Sequence, residues 1–264
     1  MENFSYHRPA KAADAVKLMK KAKDGKYLSG GMTLLPTIKQ GLASPTDIID
    51  LSGTKNAGIA VSGKSVTVKA GTTHAEVATD KAAKKAIPAL AALAAGIGDP
   101  QVRNRGTIGG SISNNDPAAD YPAACVVLGA TIVTSDRKLP ADKFFTGMFE
   151  TALKRGEIVK AVEFPIPKRA AYMKFPNPAS RYAIVGVFVA KTGNNVRVAV
   201  TGAGPVVFRQ GEMEKALSSS FAPAAIEKIQ HKADGLNSDI HASAEYRAHL
   251  VGVMARRAVA EANG

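Results

Sequence analysis

The sequence predicts an α+β protein built from two domains. Its 264 residues are 45% hydrophobic and 22% charged, a balance typical of a globular chain that buries a core. In the first part of the chain, alternating patterns that favour strands are mixed with segments of helical periodicity. After Pro165-Ile166-Pro167, strands come first and helices follow. We therefore predict one domain over residues 1–165 and a smaller domain over residues 166–264.

Residues 1–53 are predicted to form a helix, a glycine turn and short strands. Apolar residues at helical spacing favour a helix over Ala12–Ala22. A strand at Tyr27-Leu28 enters the turn Ser29-Gly30-Gly31, and Thr33–Lys39 can form a short helix. The next strand is predicted at Asp47–Leu51.

Residues 54–165 contain a long segment without helical or strand periodicity. The sequence Thr73-His74-Ala75-Glu76 has the form of a capping box, and a second helix covers Ile87–Ala95. The segment Gly96–Pro122 is rich in Gly, Asn and Asp and is predicted to be a loop, which at that length is usually functional. Strands are predicted at Gly58–Val61, Ser65–Lys69, Ala130–Thr134 and Ile158–Phe164.

The smaller domain is predicted to contain a three-stranded sheet and two helices. Its strands come directly after the boundary, and its helices complete the chain. The strands are Ala170–Lys174, Ala183–Ala190 and Val196–Thr201, and the helices are Ala222–Ala233 and His241–Ala262.

Charge and cysteine content exclude several kinds of function. The net charge is +13, but the cations are dispersed, Trp is absent and no basic run contains stacking aromatics, so nucleic-acid binding is disfavoured. The single cysteine, Cys125, lies among apolar residues, and one cysteine can hold neither a disulfide nor an iron–sulfur cluster. The sequence shows neither a bilayer-spanning stretch nor a signal peptide, so we expect a cytoplasmic protein, with the inner face of the membrane as an alternative.

Two glycine-rich segments, Ser29–Pro36 and Arg105–Asp120, are candidate phosphate sites. Each exposes backbone N–H groups without side chains in the way, ahead of a helix whose positive end attracts an anion. Two such loops in one domain suit a pyrophosphate. Neither is a Walker A motif, and GxGxxG does not occur, so a dinucleotide site here is not of the Rossmann type.

Longer motifs identify a family. The sequence IGDPQVRNRGTIGGSISNNDPAADYPA, from Ile97 to Ala123, resembles the FAD-binding signature of the medium subunits of molybdenum hydroxylases, the carbon monoxide dehydrogenase and xanthine dehydrogenase family. The loop SGGMTLLPTIKQG and the final helix SAEYRAHLVGVMARRAV also resemble that family, so the likeness runs from end to end. It implies an FAD domain of the vanillyl-alcohol-oxidase (PCMH) type with two subdomains, residues 1–53 and 54–165, followed by a C-terminal flavoprotein domain.

The resemblance also implies which residues bind FAD. Asp120 would bind the polar part of the cofactor, Ile97 and Val159 would lie beside it, and Lys174 would meet the flavin. Met32 replaces the usual histidine, which leaves the backbone N–H groups intact, and we expect non-covalent FAD. The pyrophosphate would be held by Ser29, Gly30, Gly31, Met32, Thr33 and Leu34 in the first loop, and by Thr107, Ile108, Gly109, Gly110 and Ser111 in the second.

Four candidate side chains could have a purely structural role instead of binding FAD. Asp116 precedes a proline and could form only a turn, and Asp120 could only cap a helix. Lys174 could be a surface charge. Tyr182 could either cover one face of the flavin ring or be a core aromatic at the start of a strand.

The family implies electron relay rather than chemistry on the organic substrate. A large subunit would hold molybdopterin and a small subunit two 2Fe–2S clusters. This chain would pass electrons from FAD to a quinone or NAD, within a dimer of heterotrimers. We therefore predict an oxidoreductase subunit with neither a catalytic residue nor a metal site of its own. Two alternatives stay open: a stand-alone FAD-dependent oxidoreductase of the same fold, and a basic module that binds nucleic acid or a membrane surface.

Overall fold

The first subdomain is a small parallel sheet with two helices. The computed structural model describes residues 2–264. The sheet has the order β1-β3-β2, with both outer strands parallel to β3. The strand β1 was not predicted from the sequence, because its three residues carry no alternating pattern. The elements are β1 (Ser5–His7), α1 (Ala12–Lys21), β2 (Gly25–Leu28), α2 (Leu34–Lys39) and β3 (Asp47–Asp50).

The second subdomain combines a five-stranded antiparallel sheet with six short helices. The sheet order is β4-β5-β10-β6-β7, and β8 and β9 form a separate hairpin. The elements are β4 (Ile59–Ser62), β5 (Ser65–Lys69), α3 (His74–Thr79), α4 (Lys81–Ala86), α5 (Pro88–Ala95), α6 (Pro100–Arg105), α7 (Ile108–Asn114), α8 (Tyr121–Val127), β6 (Thr131–Thr134), β7 (Lys138–Pro140), β8 (Phe145–Gly147), β9 (Glu150–Thr151) and β10 (Val159–Pro165).

The predicted loop over Gly96–Pro122 is wrong, because the segment contains α6, α7 and the start of α8. Helices of six or seven residues are too short to show amphipathic periodicity. Their starts are set by caps instead: the Asp99 side chain accepts from the Val102 N–H, and Thr107 accepts from the Gly110 N–H. The predicted capping box of Thr73 and Glu76 is present at the start of α3.

The C-terminal domain is a four-stranded antiparallel sheet covered by helices. Its order is β11-β12-β13-β14, so one two-residue strand adds to the three that were predicted. The helix predicted over Ala222–Ala233 is wrong: this region contains one 3₁₀ turn at Pro223–Ile226, since a single side chain there, Ile226, is fully buried. The elements are β11 (Arg169–Pro176), β12 (Ala183–Thr192), β13 (Asn195–Thr201), β14 (Phe208–Arg209), α9 (Gly211–Ser219) and α10 (Ala244–Asn263).

The sheet of the C-terminal domain is buried on both faces. Residues 183–190 of β12 are all buried, which explains a run of apolar residues without alternation. Phe188, Ala190 and Ala199 pack into the core of the second subdomain. Val187, Val189 and their neighbours on the other face pack against α9 and α10. The two domains are therefore joined through an apolar interface, which opposes independent motion.

A buried carboxylate joins two loops of the second subdomain. The Glu157 side chain is fully buried and accepts hydrogen bonds from Arg137, from the Lys154 N–H at 2.8 Å and from Thr134 at 2.6 Å. Burial by itself raises the pKa of Glu157, but these donors outweigh it and lower the pKa to about 2, from 4.5. The ion pair is thus stabilising where the carboxyl is ionised.

Glu157→Gln is expected to lower the free energy of unfolding by about 2–3 kcal/mol near neutral pH. Because the folded-state pKa is lowered, this stabilisation is present above about pH 4.5 and is lost as the pH falls toward about 2. Urea unfolding across that range measures the difference between the two proteins. The matched control is Glu163→Gln, which breaks the exposed pair with Lys138 at 3.1 Å and should cost no more than about 1 kcal/mol. If the difference in free energy of unfolding between Glu157→Gln and the unsubstituted protein did not shrink in acid, the stabilising role of the ionised Glu157 would be contradicted.

Candidate functional site

The two glycine-rich segments lie side by side. Ser29 Oγ and Thr107 Oγ1 are hydrogen-bonded at 2.9 Å, although the residues are 78 positions apart in the chain. A Cβ on Gly30 would lie 2.0 Å from the Arg105 carbonyl oxygen, so only glycine fits at this crossing. Gly31 has a φ of +78°, which also favours glycine. The structure therefore forms one continuous polar surface from the two loops.

Backbone and hydroxyl groups of the first loop are free for a ligand. Within residues 2–264, neither Met32 nor Thr33 donates its backbone N–H to another atom of the chain. The Thr33 side chain makes no cap hydrogen bond, and Leu34 begins α2 half-buried. Donors of this kind at the start of a helix suit the oxygens of a phosphate.

The residues of the second loop divide into those that pack and those that face outward. Ile108 is fully buried, and a Cβ on Gly109 would lie 2.5 Å from Ala70 Cβ, so both residues hold α7 on β5. Gly110 lies near Ser29 instead, and a Cβ on Gly110 would be 3.9 Å from Ser29 Cβ. The half-buried Ser111 follows on the same helix. Sequence reasoning did not distinguish these two kinds of glycine.

A buried ion pair crosses the domain boundary close to the loops. Lys174, on β11, lies 3.1 Å from Asp120 Oδ1, and their side chains are 10% and 4% exposed. Lys174 also donates to the Gly96 carbonyl at 2.8 Å. Tyr172 donates its hydroxyl to Asp120, and the absence of a side chain on Gly186 leaves room for that hydroxyl. Burial raises the pKa of Asp120, whereas Lys174 and Tyr172 oppose the rise.

This arrangement decides two of the structural alternatives. Asp120 makes no side-chain cap to α8, and Lys174 is buried rather than a surface charge. Asp116 does form a turn, because its carboxylate accepts from the Ala118 N–H at 2.8 Å. Tyr172 belongs to the cluster but was missed from the sequence, since a tyrosine in an apolar strand resembles an ordinary core residue.

Tyr182 lies at the edge of this cluster and is not a core aromatic. Its side chain is 45% exposed. Partial burial raises the pKa of Tyr182, and the charges of Asp116 and Asp120 raise it further. The next residue, Ala183, donates its N–H to the Ala118 carbonyl at 3.4 Å, so Tyr182 adjoins the segment between the two carboxylates.

Ile97 and Val159 occupy different surroundings. Ile97 is half-buried, and Arg103 donates to its carbonyl at 3.0 Å and to that of Gly98 at 2.9 Å. Val159 lies in the core at the start of β10, 5% exposed, where it pairs with Thr134. Ile97 is thus placed next to the carbonyl of Gly96 that binds Lys174, whereas Val159 makes no polar contact with the ion pair among the described residues.

The C-terminal domain fixes the segment between α7 and α8. Thr201 donates its hydroxyl to the carbonyls of Ala119 at 2.6 Å and Pro117 at 3.1 Å. The Gly202 N–H donates to Pro117 at 2.8 Å. Asp116 and Asp120 are therefore positioned by both domains.

Two buried polar side chains behind the second loop were also missed. The His74 ring packs 5.4 Å from that of Tyr121 and against Gly106. Neither His74 Nδ1 nor the Tyr121 hydroxyl has a hydrogen-bond partner in the part of the chain that the structure describes. Burial and the nearby charge of Arg103 lower the pKa of His74 to about 4, so the ring is neutral. From the sequence, His74 was predicted only as a member of a capping box.

The site fits a dinucleotide that contains a pyrophosphate. The two glycine loops meet through the Ser29 and Thr107 hydroxyls, Gly110 leaves space beside Ser29, and the second glycine-rich segment ends at Asp120, which is paired with Lys174. The fold around this site consists of two subdomains, each with a sheet and helices, and a C-terminal domain with a sheet of its own. The fold and site together define an FAD-binding flavoprotein.

Comparison with known proteins identifies the family. Residues 2–167 match the family described as FAD binding domain in molybdopterin dehydrogenase, and residues 170–262 match the CO dehydrogenase flavoprotein C-terminal domain. The chain belongs to this family: it is an FAD-binding medium subunit of the carbon monoxide dehydrogenase and xanthine dehydrogenase group, a subunit of an oxidoreductase.

The relatives are similar over almost their whole length. The chain is 33% identical to the carbon monoxide dehydrogenase medium chain of Hydrogenophaga pseudoflava, covering 97% of this chain and 96% of the relative. It is also 33% identical to the nicotine 6-hydroxylase medium subunit of Paenarthrobacter nicotinovorans, with the same coverage. A crystal structure of quinoline 2-oxidoreductase from Pseudomonas putida 86 superposes with a TM-score of 0.89 at 28% identity, covering 99% and 97% of the chains. The predicted family and fold class are thereby confirmed.

Gly110→Val is expected to abolish retention of FAD while the chain stays folded. The new side chain would occupy the space beside Ser29, where its nearest fixed neighbour, Thr107 Oγ1, lies 3.0 Å from a Cβ. Flavin absorbance per chain after gel filtration measures retention, and circular dichroism measures folding. The control is Gly109→Ala, whose Cβ would meet Ala70 at 2.5 Å and which should lower the melting temperature instead. Normal flavin content in Gly110→Val would count against the pyrophosphate site.

Proposed function

We propose that this chain relays electrons from the 2Fe–2S clusters of a partner subunit, through FAD, to an external acceptor. The observation that carries the proposal is the meeting of the two glycine loops, the second of which belongs to a segment that ends at Asp120, the buried partner of Lys174. FAD suits a relay because it takes up electrons singly and releases them singly or in pairs. The acceptor is a quinone or NAD.

The metal centres of the complex belong to other subunits. A 2Fe–2S cluster needs four ligands of the cysteine or histidine type, and this chain has one cysteine, which is buried. We infer a large subunit with molybdopterin and a small subunit with the clusters, assembled as a dimer of heterotrimers. The names of the relatives as medium chains and medium subunits support that inference.

The cofactor is held without a covalent bond. Ser29–Leu34 and Thr107–Ser111 grip the pyrophosphate, directly through Gly110 and Ser111 and indirectly through the packing of Ile108 and Gly109. Asp116 and Asp120 would bind the polar part of FAD, Ile97 would lie beside the ring, and Tyr182 would cover one face. The Val159 side chain is buried in the core, so Val159 would contribute through its backbone. These roles rest on the geometry of the two loops and on the exposure of Tyr182.

Lys174 gives the site a fixed cation. The ammonium group is held between the Asp120 carboxylate and the Gly96 carbonyl, so it cannot rotate into solvent. A cation at this place favours added negative charge on a bound ring, and its effect is moderated by Asp120. Tyr172 fixes the carboxylate in turn.

The location of the complex is inferred to be cytoplasmic. None of the helices between residues 2 and 264 combines the length and hydropathy needed to cross a bilayer. Association with the inner face of the membrane is the alternative, and cell fractionation distinguishes the two.

Purification of the tagged chain from its native host tests the relay. We expect two further subunits, iron, molybdenum and flavin bands, and a flavin that is reduced by the organic substrate only when the iron–sulfur subunit is present. A chain that carries flavin alone and oxidises a small molecule unaided would make it a stand-alone flavoenzyme. Absence of flavin from the folded, full-length protein would refute both.

Asp120→Asn is expected to raise the midpoint potential of bound FAD by tens of millivolts. The change removes the carboxylate that compensates Lys174 at 3.1 Å, so the uncompensated cation favours the reduced, anionic ring. Spectroelectrochemical titration measures the potential. Asp142→Asn is the matched control, because it makes the same change in charge at the pair with Arg197, at 3.0 Å, and should leave the potential unchanged. An unchanged potential in Asp120→Asn, with FAD still bound, would show that the pair does not act on the flavin.

A further inference from the structure

We propose that Arg103 is a positioning residue of the flavin site, which directs the backbone N–H groups of Gly98 and Asp99 toward a carbonyl oxygen of the flavin's pyrimidine ring. This role rests on the function proposed above, because it takes FAD as the cofactor. The two glycine loops and the ion pair of Lys174 and Asp120 do not include these donors. Together, the two N–H groups are called the donor pair.

The guanidinium group of Arg103 binds two successive backbone carbonyls. Its Nη1 donates to the Ile97 carbonyl at 3.0 Å and to the Gly98 carbonyl at 2.9 Å. A trans peptide group is planar, so its N–H points away from its own C=O. No cis peptide bond occurs among the described residues. The N–H groups of Gly98 and Asp99 belong to these two peptide groups and are therefore directed away from Arg103.

The donor pair has no acceptor within the protein. Between residues 2 and 264, neither N–H group donates to another atom of the chain. Gly98 is half-buried, and an N–H group in such a place needs an acceptor, either water or a ligand. Both groups belong to the loop and not to α6, which begins at Pro100, a residue without an N–H. The donor pair is thus available to an acceptor from outside the chain.

The loop that carries the donor pair is held in one conformation. Gly98 has a φ of +49°, and a Cβ there would lie 2.9 Å from Val102 Cβ, so only glycine fits. The Asp99 side chain accepts from the Val102 N–H at 2.8 Å, and the Arg103 N–H donates to the Asp99 carbonyl at 3.0 Å. The donor pair therefore needs no rearrangement when a ligand arrives, which favours binding.

Hydrogen bonds join this loop to the residues assigned to the flavin ring. The Gly96 carbonyl accepts from Lys174 at 2.8 Å. Arg181, which directly precedes Tyr182, donates to the Gly98 carbonyl at 3.4 Å. Three cations thus bind the carbonyls of three successive residues, on either side of the half-buried Ile97.

Helix α6 separates the donor pair from the crossing of the glycine loops. The helix has six residues, which span about 9 Å, and its last residue, Arg105, is the one whose carbonyl meets Gly30. The pyrophosphate is served by the donors at that crossing. The donor pair lies at the other end of α6, beside an apolar side chain, Ile97, which suits a flat ring.

The chemistry of the donor pair suits a flavin carbonyl. The pyrimidine end of a flavin has two carbonyl oxygens, and reduction adds negative charge at that end. The Arg103 cation polarises both peptide groups through their carbonyls, which makes their N–H groups stronger donors. Donors of this kind bind an oxygen more strongly as its negative charge increases.

Flavins in which sulfur replaces one carbonyl oxygen test the donor pair. Sulfur is a weaker hydrogen-bond acceptor than oxygen. The full-length protein, freed of its cofactor, is equilibrated by dialysis with FAD, 2-thio-FAD or 4-thio-FAD. We expect it to bind one of the two analogues about three- to tenfold more weakly than FAD, the effect of about one hydrogen bond.

Arg103→Gln removes the cation that orients the donor pair. FAD should bind to this variant about three- to tenfold more weakly, and the preference for FAD over that analogue should fall to within about twofold. A merely structural role would weaken the binding of both flavins alike and leave the preference intact. Arg103→Lys keeps a cation with several N–H donors and should retain the preference.

Arg155→Gln is the matched control. Arg155 also donates to two successive loop carbonyls, of Ala22 at 2.7 Å and Lys23 at 3.3 Å, but these precede β2, whereas the first glycine loop follows it. The control removes the same charge and the same kind of hydrogen bond. It should keep every affinity within about twofold of the unsubstituted protein. Melting temperatures establish that each variant is folded.

Two outcomes would overturn the role of Arg103. One is equal affinity of the unsubstituted protein for all three flavins, a result that needs no variant to fold. The other is a preference for FAD that is unchanged in folded Arg103→Gln. Neither outcome bears on the proposed relay, which fails only if the chain binds no FAD or takes no electrons from an iron–sulfur subunit.

Discussion

Burial of the C-terminal sheet on both faces is the constraint on which the site depends. One face continues the core of the second subdomain through Phe188 and Ala199, and the other packs under α10. Because the sheet cannot slide without exposing apolar surface, the register of β11 is fixed relative to α8. That register brings Lys174 within 3.1 Å of Asp120, although the residues belong to different domains. The C-terminal domain therefore supplies one partner of the buried ion pair and fixes its position.

The ion pair itself contributes little to holding the domains together. Removal of two charges from water costs several kcal/mol, and the attraction between them only offsets that cost. The geometry is maintained instead by the apolar interface and by Thr201, which binds two carbonyls next to Asp120. An ion pair that costs desolvation free energy and is held in a fixed geometry is more typical of a ligand site than of a structural bridge.

The sequence predicted the family better than the secondary structure around the glycine loops. The family signature is a local pattern that the sequence contains in full, whereas the hydrogen bond between Ser29 and Thr107 is seen only in the structure. The helices α6 and α7 could not be predicted, since six or seven residues give no periodicity and their caps look like loop residues. Tyr172 could not either: its role depends on a strand register and on the space beside Gly186, which are tertiary properties.

The loops explain why one departure from the family pattern leaves the site intact. A side chain at Gly30 would collide with the Arg105 carbonyl, and one at Gly109 would collide with Ala70. Gly31 has a positive φ. Each of these glycines is therefore required by the protein's own packing or backbone conformation. The side chain that follows Gly31 is not constrained in this way, because Met32 is 39% exposed. The ligand surface consists of backbone donors and the space above Gly110. A histidine at position 32 could add a hydrogen bond, but the surface exists without it.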